Sequence, residues 1–169
     1  MARHCYERGN YTLTGKTHVA GGILAGAFIA SSLQLDVVNT AGVITISAIS
    51  ALLPDIDTST SKIGLRVRPV SLLINRLFGH RKLFHAPLLY LLIAAALYNS
   101  LPLKLSLSTA GGIGSHLLLD SITRQGIPWL YPFSKQNLGF SPIRAGGVFD
   151  WLLCYGLLGL SAYVINLKI

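Results

Sequence analysis

Residues 148–167 read VFDWLLCYGLLGLSAYVINL, a run of twenty whose only charged residue is Asp150, near its start. That length matches the about 20 apolar residues an α-helix needs to cross a bilayer. Working back toward the N-terminus, four more stretches have a similar character. Residues 105–122 (LSLSTAGGIGSHLLLDSI) are the least hydrophobic, and residues 86–103 follow His85 and carry LLYLLIAAALY. Residues 37–54 (VVNTAGVITISAISALLP) end on a proline, and residues 18–35 (HVAGGILAGAFIASSLQL) are rich in small side chains, as helices packed together in lipid often are. A long polar lead-in and His18 favour a retained first helix over a cleaved signal peptide.

Composition points the same way. Of 169 residues, 51% are hydrophobic and 12% charged, against a usual charged share of about 25%. Glu7 is the sole glutamate. So few charges cover the surface of a small soluble domain poorly, which argues against an ordinary soluble enzyme, a disordered chain or a coiled coil. The expected fold is all-α: an integral membrane bundle of about five transmembrane helices, forming a single membrane-embedded domain over residues 1–169. The net charge of +8 does not imply nucleic acid, because the basic residues sit in the gaps between apolar runs. Cys5 and Cys154 lie too far apart in sequence to suggest a zinc knuckle or a redox pair.

Those gaps predict the topology. The N-terminal arm carries Arg3, Arg8 and Lys16; residues 58–84 carry Lys62, Arg66, Arg68, Arg76, Arg81 and Lys82; residues 123–147 carry Arg124, Lys135 and Arg144. With five spans, twelve basic residues fall on one side and only Lys104 and Lys168 on the other. Basic loops stay in the cytoplasm, so the expectation is a multi-pass protein of the inner (cytoplasmic) membrane with its N-terminus in the cytoplasm. Two loop segments look structured. PVSLLINRLF (69–78) suits a short amphipathic helix lying in the interface, and GIPWLYPFSKQNLGFSP (126–142) an irregular aromatic loop at headgroup depth.

In that topology the scarce ionisable residues collect at one level. His18 opens the first span, and Asp55 and Asp57 close the second. His80 and His85 precede the third, His116 and Asp120 end the fourth, and Asp150 opens the fifth. Each alone reads as a polar helix end; together they form a cytoplasmic-face His/Asp cluster, and ionisable groups in membrane segments are costly and usually functional. Imidazole with carboxylate suits a divalent transition metal, zinc, manganese or iron, as one or two ions. His116 and Asp120, four apart, share a helical face, whereas Asp55 and Asp57 need a non-helical backbone after Pro54. Paired ions about 3.5–4 Å apart would activate water and clamp a phosphoryl oxygen. Arg66, Arg81, Lys82 and Arg124 are candidates to hold phosphate charge.

The runs GKTHVAGG, LLPDIDTSTSKIG, GHRKLFHAPLL, GSHLLLDSITRQGIPWLYPF and LGFSPIRAGG, in this order over about residues 15–150, resemble the YdjM-like family of membrane-bound metal-dependent hydrolases, also called LexA-regulated. The resemblance places the family's polar positions on His18, Asp55, Asp57, His80, His85, His116 and Asp120. Phe84 departs from it, since family members typically carry Thr there. A weaker likeness, in the order His, Asp, His, then HxxxD, is to zinc-dependent phospholipase C and related nucleases. It implies His18, Asp55, His85, His116 and Asp120 as metal ligands, with one aspartate bridging ions or acting as base. A glutamate that such enzymes often supply from the last helix is missing, and Asp150 replaces it only in part.

The resulting expectation is a hydrolase of a phosphoester or related bond at the cytoplasmic bilayer face, with zinc the first candidate ion. Asp55, Asp57 and His80 are its candidate catalytic residues, and the lipid bilayer and a lipid or phosphorylated substrate its partners. A metal carrier, or a non-enzymatic membrane protein with a vestigial site, are the alternatives.

Overall fold

In a computed structural model, residues 13–79, 81–97, 100–140 and 147–167 are described. Arg3, Arg8, His80 and Arg144 lie outside them. Among these residues seven α-helices follow one another: α1 (Gly15–Ser32), α2 (Val37–Ser50), α3 (Lys62–Arg66), α4 (Arg68–Phe78), α5 (Pro87–Leu97), α6 (Leu103–Ser121) and α7 (Val148–Asn166). Single 3₁₀ turns at Pro54–Asp57 and Leu83–His85 complete the list, and no strand occurs among the described residues. The all-α expectation holds, and α1, α2, α5, α6 and α7 fall on the five apolar stretches. By length and apolarity, however, two helical segments among the described residues suffice to cross a bilayer, Val37–Asp57 and Val148–Asn166; α5 is shorter.

Local chemistry sets the ends. Asp36 caps α2, its Oδ1 accepting from the backbone N–H groups of Val38 (2.9 Å) and Asn39 (3.1 Å), the role short acidic residues play at helix starts. Pro54 then follows α2 and opens the 3₁₀ turn that carries Asp55 and Asp57. Gly79, at φ 78°, closes α4 in a left-handed conformation that a side chain would strain.

The centre of the bundle is α1, which packs on α2, α6 and α7, while α2 also packs on α6. Close approach is built from small residues. A Cβ on Gly112 of α6 would fall 2.1 Å from the Ser47 carbonyl of α2, and one on Gly26 of α1 would fall 2.6 Å from the Ile44 Cα. Helices in lipid gain little from burying apolar area against each other, so contact depends on such intimate backbone packing.

Polarity is arranged inside out. Thr17, His18, Ser47, His85, His116 and Asp120 are fully buried, whereas Leu91, Leu92, Leu152, Tyr155 and Tyr163 on α5 and α7 are each more than half exposed. An apolar exterior of that extent needs a cover, and a bilayer provides one. The short amphipathic helix expected at 69–78 is present as α4. It turns Ser71 inward and leaves Val70, Leu73 and Leu77 exposed, while Asn75 donates to the Asp57 carbonyl at 2.8 Å. Short α3, capped by Ser61, has no counterpart among the sequence expectations. In the aromatic loop an isolated antiparallel pairing of Ile127 with Leu138 buries Ile127 and leaves Phe133 at 88% exposure.

Candidate metal centre

Four elements bring the polar residues to one end of the bundle. The first turn of α1 supplies His18, the 3₁₀ turn after α2 supplies Asp55 and Asp57, and the turn before α5 supplies His85. The last turns of α6 supply His116 and Asp120 on one face. The helical spacing expected for the last pair is present: His116 Nε2 lies 3.5 Å from Asp120 Oδ2.

The donor atoms converge. His85 Nε2 lies 3.4 Å from His116 Nε2, 3.5 Å from Asp120 Oδ2 and 3.9 Å from Asp55 Oδ1; His116 Nε2 lies 4.0 Å from Asp55 Oδ1. Tetrahedral zinc with bonds of about 2.0–2.1 Å sets its ligand atoms about 3.3–3.4 Å apart; the His85, His116 and Asp120 atoms already match this, and Asp55 needs about 0.5–0.7 Å of closure. His18 stands beside them, its ring stacked on His116 with centroids 3.9 Å apart and its Nε2 3.4 Å from Asp120 Oδ1. Two triads could each hold an ion: His18, His116 and Asp120, and Asp55, His85 and His116, the ligand atoms within each lying within 4.8 Å of one another.

Surrounding groups aim the imidazoles inward. His116 Nδ1 donates to the Ala51 carbonyl at 2.7 Å, which fixes the tautomer and leaves the Nε2 lone pair facing the centre. His85 turns Nδ1 toward Asp57 Oδ2 at 3.3 Å, so its Nε2 faces the centre too. A carboxylate or carbonyl behind a histidine is the usual support of a metal ligand. Burial works against a charge on His85, but the carboxylates of Asp120 and Asp57 outweigh it and raise its pKa. Asp55 and Asp57 thus flank His85 on opposite sides, as the turn after Pro54 permits. Phe84 packs edge-to-face on Phe78, and Asp57 supplies the polar contact to His85.

Buried donors and acceptors here go unanswered by the protein. Neither nitrogen of His18 and neither oxygen of Asp120 makes a well-directed hydrogen bond, although such atoms normally find partners when buried. The donor set of imidazole nitrogen and carboxylate oxygen suits a divalent transition ion, so the residues present fit one. Alone among the cluster, Asp55 is partly open, with 16% of its side chain exposed.

From sequence, Arg81 is one basic neighbour among several. Only 3% exposed, it reaches the centre, where Nη2 pairs with Asp120 Oδ2 at 2.5 Å and its backbone N–H donates to Asp57 Oδ2 at 2.9 Å. Its backbone is left-handed, at φ 53°. A non-glycine residue held there usually has a reason to be.

Across the family comparison, the family described as "YdjM inner membrane protein" matches residues 13–168. The chain belongs to that family. It is 33% identical over 152 residues to the Bacillus subtilis protein named "Uncharacterized protein YvsG", covering 89% of this chain and 93% of that one. It is 30% identical over 163 residues to the "Inner membrane protein YdjM" of Escherichia coli, covering 90% of this chain and 83% of that one. The YdjM protein of Shigella flexneri matches to the same extent. No solved structure matches. Family membership and the apolar exterior agree on a protein of the cell membrane.

Asp150, which also lies at a helix end, serves elsewhere. From α7 it accepts the Thr14 backbone N–H at 3.3 Å and the Thr17 hydroxyl at 2.5 Å, and so holds the start of α1.

Proposed function

We propose that this chain is a metal-dependent hydrolase of the inner membrane, cleaving a phosphoester or related bond at the cytoplasmic bilayer face. The observation that carries the reading is the convergence of His18, Asp55, His85, His116 and Asp120, with both nitrogens of His18 and both oxygens of Asp120 lacking a well-directed hydrogen bond. These five are the proposed ligands, and zinc is the first candidate ion. When bound, a divalent ion acts as a Lewis acid toward the scissile bond and water.

The chain's own residues do the rest. Asp57 orients His85, and the Ala51 carbonyl orients His116. Asp55, the partly open carboxylate, is placed to accept a proton from an incoming water. His80 remains a proposed catalytic residue on the family resemblance. Lipid or membrane-delivered substrates suit a site at the level of the exposed apolar residues of α4 and the aromatic loop. Five spans with a cytoplasmic N-terminus follow from the 12-to-2 division of basic residues.

The test uses detergent-purified protein with phospholipids, polyprenyl phosphates and a generic phosphodiester, with and without chelator. Hydrolysis of at least one that chelator stops and zinc restores is the expected result. Bound metal without hydrolysis would point to the carrier class instead. A reporter fused after Ile169 should be active only outside the cytoplasm and one near Ser134 only within it; a cytoplasmic C-terminus would contradict the five-span topology.

A further inference from the structure

We infer that the site takes a single divalent ion, and that Arg81 stands as its fixed second cation, offering a free guanidinium edge to an anionic oxygen of the substrate. The inference rests on the metal reading above and narrows it to one ion and one substrate class, a tetrahedral oxyanion such as a phosphoryl group.

Three observations carry it. The two candidate triads share His116. With Nδ1 engaged by the Ala51 carbonyl, His116 has one lone pair, on Nε2, and a lone pair binds one ion. The triads are therefore alternatives for His116, and one ion fits between them: the Nε2 atoms of His85 and His116 lie 3.4 Å apart and each within 4.0 Å of both Asp55 Oδ1 and Asp120 Oδ2, with His18 beside Asp120.

Charge gives the same number. Among the described residues the cluster holds three carboxylates, Asp55, Asp57 and Asp120, and one buried permanent cation, Arg81, whose guanidinium pairs with Asp120 and whose backbone N–H meets Asp57. The balance is minus two, which one divalent ion cancels and two would overshoot. Uncompensated buried charge is costly.

The third observation is the guanidinium itself. Nη2 is committed to Asp120, but Nη1 is buried without a hydrogen-bond partner. An arginine edge so placed is a donor waiting for an acceptor, and phosphate oxygens fit guanidinium geometry well. In sites with two ions the second cation clamps an oxygen of the transferring group; here a positively charged side chain occupies that position, held by its strained backbone and the Asp57 contact.

The experiment loads purified full-length protein with Zn²⁺, measures ions per chain by native mass spectrometry, and titrates inorganic phosphate by calorimetry. Wild type should hold one zinc per chain and bind phosphate. Arg81→Gln should keep its zinc and weaken phosphate binding at least ten-fold, and Arg81→Lys should recover part of the loss. Titration with a short-chain phosphatidic acid beside inorganic phosphate separates a lipid headgroup from a free anion, since a lipid site binds the former more tightly. Two zinc ions per wild-type chain would overturn the inference, even if Arg81→Gln fails to fold. Unchanged phosphate affinity in Arg81→Gln would overturn it too. A wild-type chain that retains no zinc would instead sink the metal reading itself.

Discussion

Asp120 and Asp150 are both carboxylates buried at the same end of the bundle, one near the end of α6 and one in the first turn of α7. Their surroundings differ. Asp150 is answered by the protein: the Thr14 N–H and the Thr17 hydroxyl, both from the start of α1, bind it. Asp120 faces His18, His85, His116 and Arg81, and its oxygens accept no well-directed hydrogen bond. A buried carboxylate that its own helices satisfy is a staple between them. One set among imidazoles and the Arg81 guanidinium, with no well-directed hydrogen bond of its own, is suited to a ligand.

The sharpest way to break this comparison is to truncate both residues. Asp120→Ala should abolish metal retention and lower hydrolysis more than about 100-fold, the loss expected when a metal ligand goes, without impairing membrane insertion. Asp150→Ala should keep its metal but lower stability in detergent by about 1–3 kcal/mol, as loss of a buried acceptor does. Metal analysis and thermal unfolding on both variants check the pair. Equal metal loss in both would show that position, not satisfaction, decides. A smaller effect sharpens the same contrast: Asp57→Asn, behind His85 rather than at the centre, should weaken zinc binding by about 10–100-fold without eliminating it, measured by competition with a chromophoric chelator.

Much of this was legible in the sequence. The apolar runs located α1, α2, α5, α6 and α7 because lipid demands length and apolarity that leave a mark on composition. His18, Asp55, His85, His116 and Asp120 were legible because charge is rare in this chain and each stands at a helix end. What stayed hidden depends on turns. Arg81 looked like any loop cation until the left-handed backbone at that residue turned it into the cluster. The Ala51 carbonyl behind His116 carries no side-chain signal at all. Asp150 shared the helix-end position of the ligands, and only the contact between α1 and α7 separates its role from theirs. Apolar length alone does not reach the five-span expectation: among the described residues two segments suffice, and α5 is short by that measure.

The central claim is that buried histidines and aspartates from four elements hold a transition ion. X-ray absorption at the zinc edge, on the protein loaded in detergent, tests it most directly. The account predicts a nitrogen and oxygen coordination shell at about 2.0–2.1 Å with outer-shell scattering from at least two imidazoles, lost in His116→Ala. A spectrum of hydrated zinc, unchanged by that substitution, would contradict it.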